Sequence, residues 1–231
     1  MTASYNSHTL GDNRKLILTQ INASAKSAGK AGSDITLVAV SKVQVDRRIQ
    51  AMLDTGQSVF GENRVQETQT RWGETFKSAR ENIELRLIGP LQSNKAQEAC
   101  ELFDVIETLD REKLAKTLAK IRDGGQVLPR LLVQVNTGEE PQKAGIAPRD
   151  LKDFLKLCRE TYDLHPEGLM CLPPIGEAAS PHFWLLKNLA AENDLTILSM
   201  GMSGDFETAI KMGATHVRIG TALFGARDYE A

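Results

Sequence analysis

A lysine closes the first apolar run of the chain, Leu37-Val38-Ala39-Val40-Ser41-Lys42. Alternate side chains of a strand share a face, so Lys42 points the same way as Val38 and Val40. An amine partly desolvated by apolar walls has a reason to lose its proton, and a neutral amine is what forms a Schiff base with a carbonyl compound. A plain strand-end lysine at the surface is the competing reading. Near the other end of the chain, Arg218 stands between Val217 and Ile219. It puts a permanent cation on the inward face of an apolar strand, where an unpaired charge is costly. A pyridine nitrogen or a carboxylate would answer that charge, and so would an internal salt bridge to an acidic side chain.

Two short polar segments surround the arginine: Ser199-Met200-Gly201-Met202-Ser203-Gly204-Asp205 before it and Gly220-Thr221 after it. Glycine lets a backbone approach an anion closely, and the hydroxyls of Ser203 and Thr221 can donate to one, which is the composition a phosphate cup needs. Ordinary turns have the same composition. Gly220 to Gly225 repeats the glycine spacing of a P-loop, but Ala226-Arg227 follows where Lys and Ser/Thr are required, and no GxGxxG is present, so nucleotide binding is not supported. His8, His165, His182 and His216 are scattered without an HExxH or a Cys/His pair, and no metal site is expected. Cys100, Cys158 and Cys171 are too widely spaced for a disulfide framework or a CxxC motif; they read as reduced thiols in or near the core.

The elements that must hold these residues follow from the patterning of all 231 residues. Short apolar runs alternate eight times with helical stretches. The strands fall at about 36–41, 58–61, 86–89, 105–108, 131–136, 167–170, 196–199 and 216–220. Helices are expected at about 45–55, 63–79, 91–101, 110–122, 148–162, 177–191 and 205–212, with a final turn or short helix after Thr221. Asp110 and Asp205 stand where N-caps belong, and Gly213 where a helix stops. A leading amphipathic helix, about 10–28, carries Leu16, Ile17, Ile21, Ala25 and Ala28 on one stripe, and residues 1–9 are expected to be disordered. Eight βα units with no linker between them favour a single (β/α)8 TIM barrel domain over 1–231, an open doubly wound sheet being the alternative. In a barrel the active groups belong at the C-terminal ends of the strands.

Composition narrows the partners. With 28 Lys+Arg against 30 Asp+Glu there is no basic excess for a phosphate backbone, so nucleic acid is not expected as a partner. No window is apolar for long enough to span a membrane, and the opening MTASYNSHTL has no signal-peptide character, which makes the cytoplasm the expected address.

A lysine on one wall, a phosphate cup after strands seven and eight and an inward arginine together describe a ligand with an aldehyde, a phosphate and an acceptor ring nitrogen. Pyridoxal 5'-phosphate has all three. The chain also resembles the YggS/PROSC-type pyridoxal phosphate homeostasis proteins, single-domain relatives of the alanine racemase barrel. The resemblance is carried by Leu37 to Lys42, Phe60-Gly61-Glu62-Asn63 with Val65-Gln66-Glu67, and Ile88-Gly89-Pro90-Leu91-Gln92-Ser93-Asn94-Lys95. It continues through Val133-Gln134-Val135-Asn136 with Lys143-Ala144-Gly145-Ile146, Gly168-Leu169-Met170, Leu198 to Ser203, Val217 to Thr221 and Phe224-Gly225-Ala226-Arg227. It implies a fold type III barrel in which Lys42 carries the cofactor, Ser203, Gly220 and Thr221 hold its phosphate, Arg218 faces the pyridine nitrogen, and Asn63 and Met170 lie near it. Two positions depart from the family pattern: Leu85-Arg86 where an aromatic-His pair is frequent, and Gly204-Asp205 where Asp-Asp is frequent.

The resemblance further implies a pyridoxal phosphate binder that influences vitamin B6 and amino-acid balance, with no catalytic residues or at most a weak racemase-like activity. Racemase relatives set a tyrosine from an additional domain opposite the lysine. Here Tyr5, Tyr162 and Tyr229 sit at no strand end and no such domain is expected, so Lys42 is the only base of a two-base scheme. The rivals are a small pyridoxal phosphate enzyme acting on amino acids and a cofactor-free barrel enzyme for a phosphorylated metabolite. A monomer is expected, with pyridoxal phosphate and apo forms of pyridoxal phosphate-dependent enzymes as partners.

Overall fold

The computed structural model of the protein describes residues 7–225. Eight parallel strands pair in chain order: β1 (Thr36–Val40), β2 (Val59–Glu62), β3 (Glu84–Leu87), β4 (Val105–Leu109), β5 (Arg130–Val135), β6 (Gly168–Cys171), β7 (Ile197–Ser199) and β8 (His216–Ile219). The last pairs back to the first, with Val38 opposite Arg218 and Ala39 opposite Ile219, so the sheet is a closed barrel and not an open one. Parallel neighbours need crossover connections. These carry α2 (Asp46–Asp54), α3 (Val65–Thr68), α4 (Ala96–Leu102), α5 (Glu112–Asp123), α6 (Leu151–Lys156), α7 (Ala179–Glu192) and α8 (Phe206–Lys211). A leading helix, α1 (Ser7–Ser27), and a four-residue α9 (Thr221–Phe224) complete the outer ring. α1 packs against α2, α8 and α9 and supplies much of the cover that so short a last helix leaves open.

The strand alternation separates two interiors. Leu37 and Ala39 join Ile106, Val133, Leu169 and Val217 in the apolar layer between strands and helices. Val38 and Val40, also buried, lie on the opposite face, towards the barrel axis. Gly61 makes room there: a Cβ on it would stand 3.0 Å from both Val38 and Ile88. The three cysteines are buried and free, and burial pushes each thiol up to about 12.

Several expectations need correction. α1 begins at Ser7, so residues 7–9, expected to be disordered, are helical; residues 1–6 lie outside the described residues. Ile17, Ile21 and Ala25 of its stripe are buried, but Leu16 is exposed, and Leu10 is the residue that completes the buried face. β3 begins two residues before its expected start, which leaves Ile88 and Gly89 to the loop above the barrel. The long helices expected at 63–79 and 148–162 are each broken: α3 runs into a wide π-turn over Gln69–Thr75, then a 3-10 segment, and α6 is framed by Pro148–Asp150 and Leu157–Thr161. Asp110 is not an N-cap; Arg111 holds that position and turns its guanidinium onto the Asp110 carboxylate. Asp205 does sit at the N-cap of α8, but its carboxylate accepts from Met202 N at 2.6 Å rather than from the helix. Gly213 stops that helix in the left-handed region, at φ +111°, the conformation glycine adopts without strain.

Candidate functional site

At the C-terminal ends of the strands lies a cavity of about 340 Å³, within the usual span of small-molecule sites. Lys42 after β1, Asn63 after β2, Ser203 and Gly204 after β7, and Arg218, Gly220 and Thr221 at the end of β8 all line it. Six of the seven residues expected to hold a ligand are thereby brought together. The seventh, Met170, is fully buried in β6 opposite Ser199 and does not line the cavity; Leu172, two residues on, does. Lys42 and Arg218 are the ionisable side chains of that lining.

Unused hydrogen-bonding capacity shows what the cavity is suited to hold. Asn63 Oδ1 is buried with no hydrogen-bond partner among the described residues. The amides of Ser203, Gly204 and Thr221 likewise donate to no acceptor among them, while Ala222 N donates to Ser203 Oγ at 3.3 Å. Of these groups the Asn63 oxygen is the buried one, and such groups are ordinarily paired. Ser203 is half-buried and Gly204 and Thr221 are exposed, so their amides stand open at the cavity, an arrangement suited to an anion with several acceptor oxygens. Gly201, at φ +92°, shapes this loop: a Cβ there would stand 2.5 Å from that of Ala209.

The turn that carries Lys42 is held from below. Glu62, 1% exposed at the end of β2, accepts from Ser41 Oγ at 2.8 Å and Trp72 Nε1 at 3.2 Å. Arg71 donates to the carbonyls of Ser41 at 3.3 Å and Gln44 at 2.8 Å, on either side of the lysine. Val43, between them, sits at φ +53°, a strained conformation for a β-branched residue. In the sequence Glu62 stands out only as part of the Phe60-Gly61-Glu62-Asn63 motif, and nothing there marks Arg71 or Val43. The π-turn that brings both Arg71 and Trp72 onto Glu62 leaves no periodicity signal.

Below the cavity, Arg218 is answered inside the barrel. Its Nη1 donates to Ser199 Oγ at 2.7 Å and its Nη2 to the Cys171 carbonyl at 2.8 Å. Ser199 Oγ donates in turn to Glu107 Oε2 at 2.6 Å, and Arg86 Nε donates to the other carboxylate oxygen at 2.5 Å. Arg86 also meets Glu84, which meets Arg130 at the floor. Burial by itself would raise the Glu107 pKa, but the charges of Arg86 and Arg218 and the bonds from Ser199 and Arg86 outweigh it and hold the carboxyl below its ordinary range. Arg86, one of the departures from the family pattern, is thus a buried structural cation facing an acid that sequence reasoning did not single out. The internal salt bridge foreseen as an alternative for Arg218 exists, Glu107 lying 3.9 Å away, and the arginine faces the cavity as well.

The family model described as the alanine racemase N-terminal domain matches residues 20–228. The pyridoxal phosphate homeostasis protein of Pseudomonas aeruginosa is 38% identical over 228 residues, 96% of this chain and 98% of that one. The solved structure of PipY from Synechococcus elongatus with pyridoxal phosphate bound superposes with a TM-score of 0.75 at 37% identity, covering 83% of this chain and 93% of that one. An alanine racemase from Clostridium difficile, at 13% identity and a TM-score of 0.68, shares the fold, 95% of this chain matching 58% of that one. The match along nearly the full length of both chains, on the same barrel, places this protein in the alanine racemase N-terminal domain family, among the pyridoxal phosphate homeostasis proteins.

Proposed function

We infer that the protein binds pyridoxal 5'-phosphate in this cavity and serves its homeostasis, influencing vitamin B6 and amino-acid balance, rather than turning over a substrate. The observation that carries the reading is the convergence of Lys42, Asn63, the Ser203-Gly204 loop, Gly220-Thr221 and Arg218 on one cavity of suitable size. The residues fit the group: unengaged amides and two hydroxyls for a phosphate, an orphaned Asn63 oxygen for a ring substituent, an amine for an aldehyde, and a guanidinium for a ring nitrogen. When bound, pyridoxal phosphate supplies an electrophilic aldehyde carbon and an electron-accepting ring. Arg218, a permanent cation, disfavours a proton on the ring nitrogen and so weakens that electron sink. Met170 is left out of the contact set.

The lining also supports a non-catalytic role. Racemisation by two bases needs a second acid–base group opposite Lys42 within hydrogen-bond reach, and the described lining offers only Arg218 besides the lysine. Tyr162 lies outside the barrel, bonded to Glu112 at 2.8 Å; Tyr5 and Tyr229 fall outside the described residues. Among the described residues, no helix is long and apolar enough to cross a membrane, and we take the working state to be a cytoplasmic monomer that can give its cofactor to apo-enzymes. The test pairs two assays: steady-state racemisation or transamination of free amino acids, expected to be absent, and activation of an apo-enzyme by the loaded protein. Sustained turnover abolished by Lys42→Ala would instead establish the enzyme reading.

A further inference from the structure

The three-member chain behind Arg218 does more than balance charge. Arg86 and Glu107 are fully buried and Arg218 is 3% exposed, and Glu107 is the acid that meets both cations, at 2.5 Å from Arg86 Nε and 3.9 Å from Arg218 Nη1. The Ser199 hydroxyl has one proton, which it gives to Glu107, so its lone pairs face Arg218 and accept from Nη1. The Cys171 carbonyl takes Nη2. Both outer nitrogens of the guanidinium are therefore fixed, and the plane of the group at the cavity wall is set from below. Other charged or titratable groups near this chain are Glu84, Arg130, His216 and the Cys171 thiol, and Lys42 shares the cavity lining with Arg218.

We propose that Glu107, held by Arg86 and acting through Ser199, is a positioning residue that fixes the direction and offsets part of the charge of Arg218 where it meets the ring of a bound pyridoxal phosphate. The inference rests on the cofactor reading above. It assigns a role in ligand tuning to an acid on β4 that lines no part of the cavity.

The test uses the full chain loaded with pyridoxal phosphate and measures three quantities: the dissociation constant, the pH midpoint of the visible absorption band, and Tm. Ser199→Ala removes the relay while leaving the Arg86–Glu107 pair in place. It is expected to weaken binding roughly tenfold, the loss of one hydrogen bond to a charged group, and to move the band's pH midpoint, with Ser199→Thr restoring both. Glu107→Gln keeps the shape but deletes the negative charge, so the more positive surroundings should move the midpoint to lower pH. If Glu107→Gln fails to fold, Ser199→Ala and Ser199→Thr still decide the matter. Unchanged affinity and midpoint in Ser199→Ala, with only Tm altered, would overturn the proposal and leave the chain a structural ion pair. A wild-type protein with no band and no binding would instead sink the cofactor reading itself.

Discussion

Arg71 donates to Glu62 at 2.9 Å, and the same guanidinium grips the backbone on both sides of Lys42. A side chain from the turn after β2 thus decides where the end of β1 points. Glu62 is buried with its charge and takes its donors from Ser41, Arg71 and Trp72, so removing the arginine leaves a buried carboxylate short of its counter-ion. Arg71→Ala is expected to cost on the order of 3 kcal/mol in stability. It should also weaken cofactor binding, since the Lys42 turn loses its clamp. Equilibrium denaturation and a binding titration check both parts. Arg71→Lys, which keeps the charge but not the forked reach, should recover only a minority of the loss.

Val43 tests whether that turn is strained. A β-branched residue at φ +53° costs roughly 1–3 kcal/mol, while glycine pays about 0.5–1 kcal/mol of extra chain entropy on folding. Val43→Gly should therefore be neutral or stabilising by up to about 2 kcal/mol. Half of its side chain is already exposed, so little burial is given up. A destabilisation beyond 1 kcal/mol would contradict the strain.

Two glycines of the loop after β7 should behave differently despite being three residues apart. A Cβ on Gly201 would collide with Ala209 at φ +92°, and its carbonyl also accepts from Arg218 N at 2.9 Å. Gly201→Ala should cost about 2 kcal/mol or more and disturb the loop and the arginine together. Gly204 has no positive φ, and a Cβ there meets nothing within 4 Å; Gly204→Ala should change stability by less than about 0.5 kcal/mol. Thermal melts of the two variants separate the cases.

His216 gives the protein an acid sensitivity of known sign. Burial, and after it the Arg86 charge, push its pKa from 6.5 down to about 4. As pH falls from 6.5 to 4 the unfolded chain takes up a proton that the folded one refuses, so stability present above 6.5 drains away across that window. The loss attributable to this one group is about 3 kcal/mol by pH 4. His216→Gln should flatten the fall in stability over this range, and equal slopes for the two proteins would contradict the assignment.

The eightfold alternation of apolar runs and helices was legible as a barrel because each parallel pair demands a crossover, and Lys42 and Arg218 stood out because charge at the end or middle of an apolar strand is conspicuous. The supports of these residues were not legible in the same way. Glu107 is the middle residue of β4, and its partners emerge only once the closed barrel turns β4 towards β7 and β8 across the interior; nothing local marks Ser199 as the link between them. Arg71 and Trp72 meet Glu62 only because the helix after β2 widens into a π-turn, which a periodicity of 3.6 does not describe. Asp110 had the right type and position for a cap, but Arg111 beside it offered a stronger partner than a helix amide.

The central claim is that Lys42 holds pyridoxal phosphate, and an absorption spectrum of the purified protein addresses it most directly. Borohydride reduction and peptide mass mapping follow, on wild type and on Lys42→Ala after incubation with the cofactor. The account predicts a visible band in wild type, fixed by reduction as a pyridoxyl adduct on Lys42, and no such adduct in the cavity of the variant. A wild-type protein that stays colourless and unmodified after incubation would contradict it.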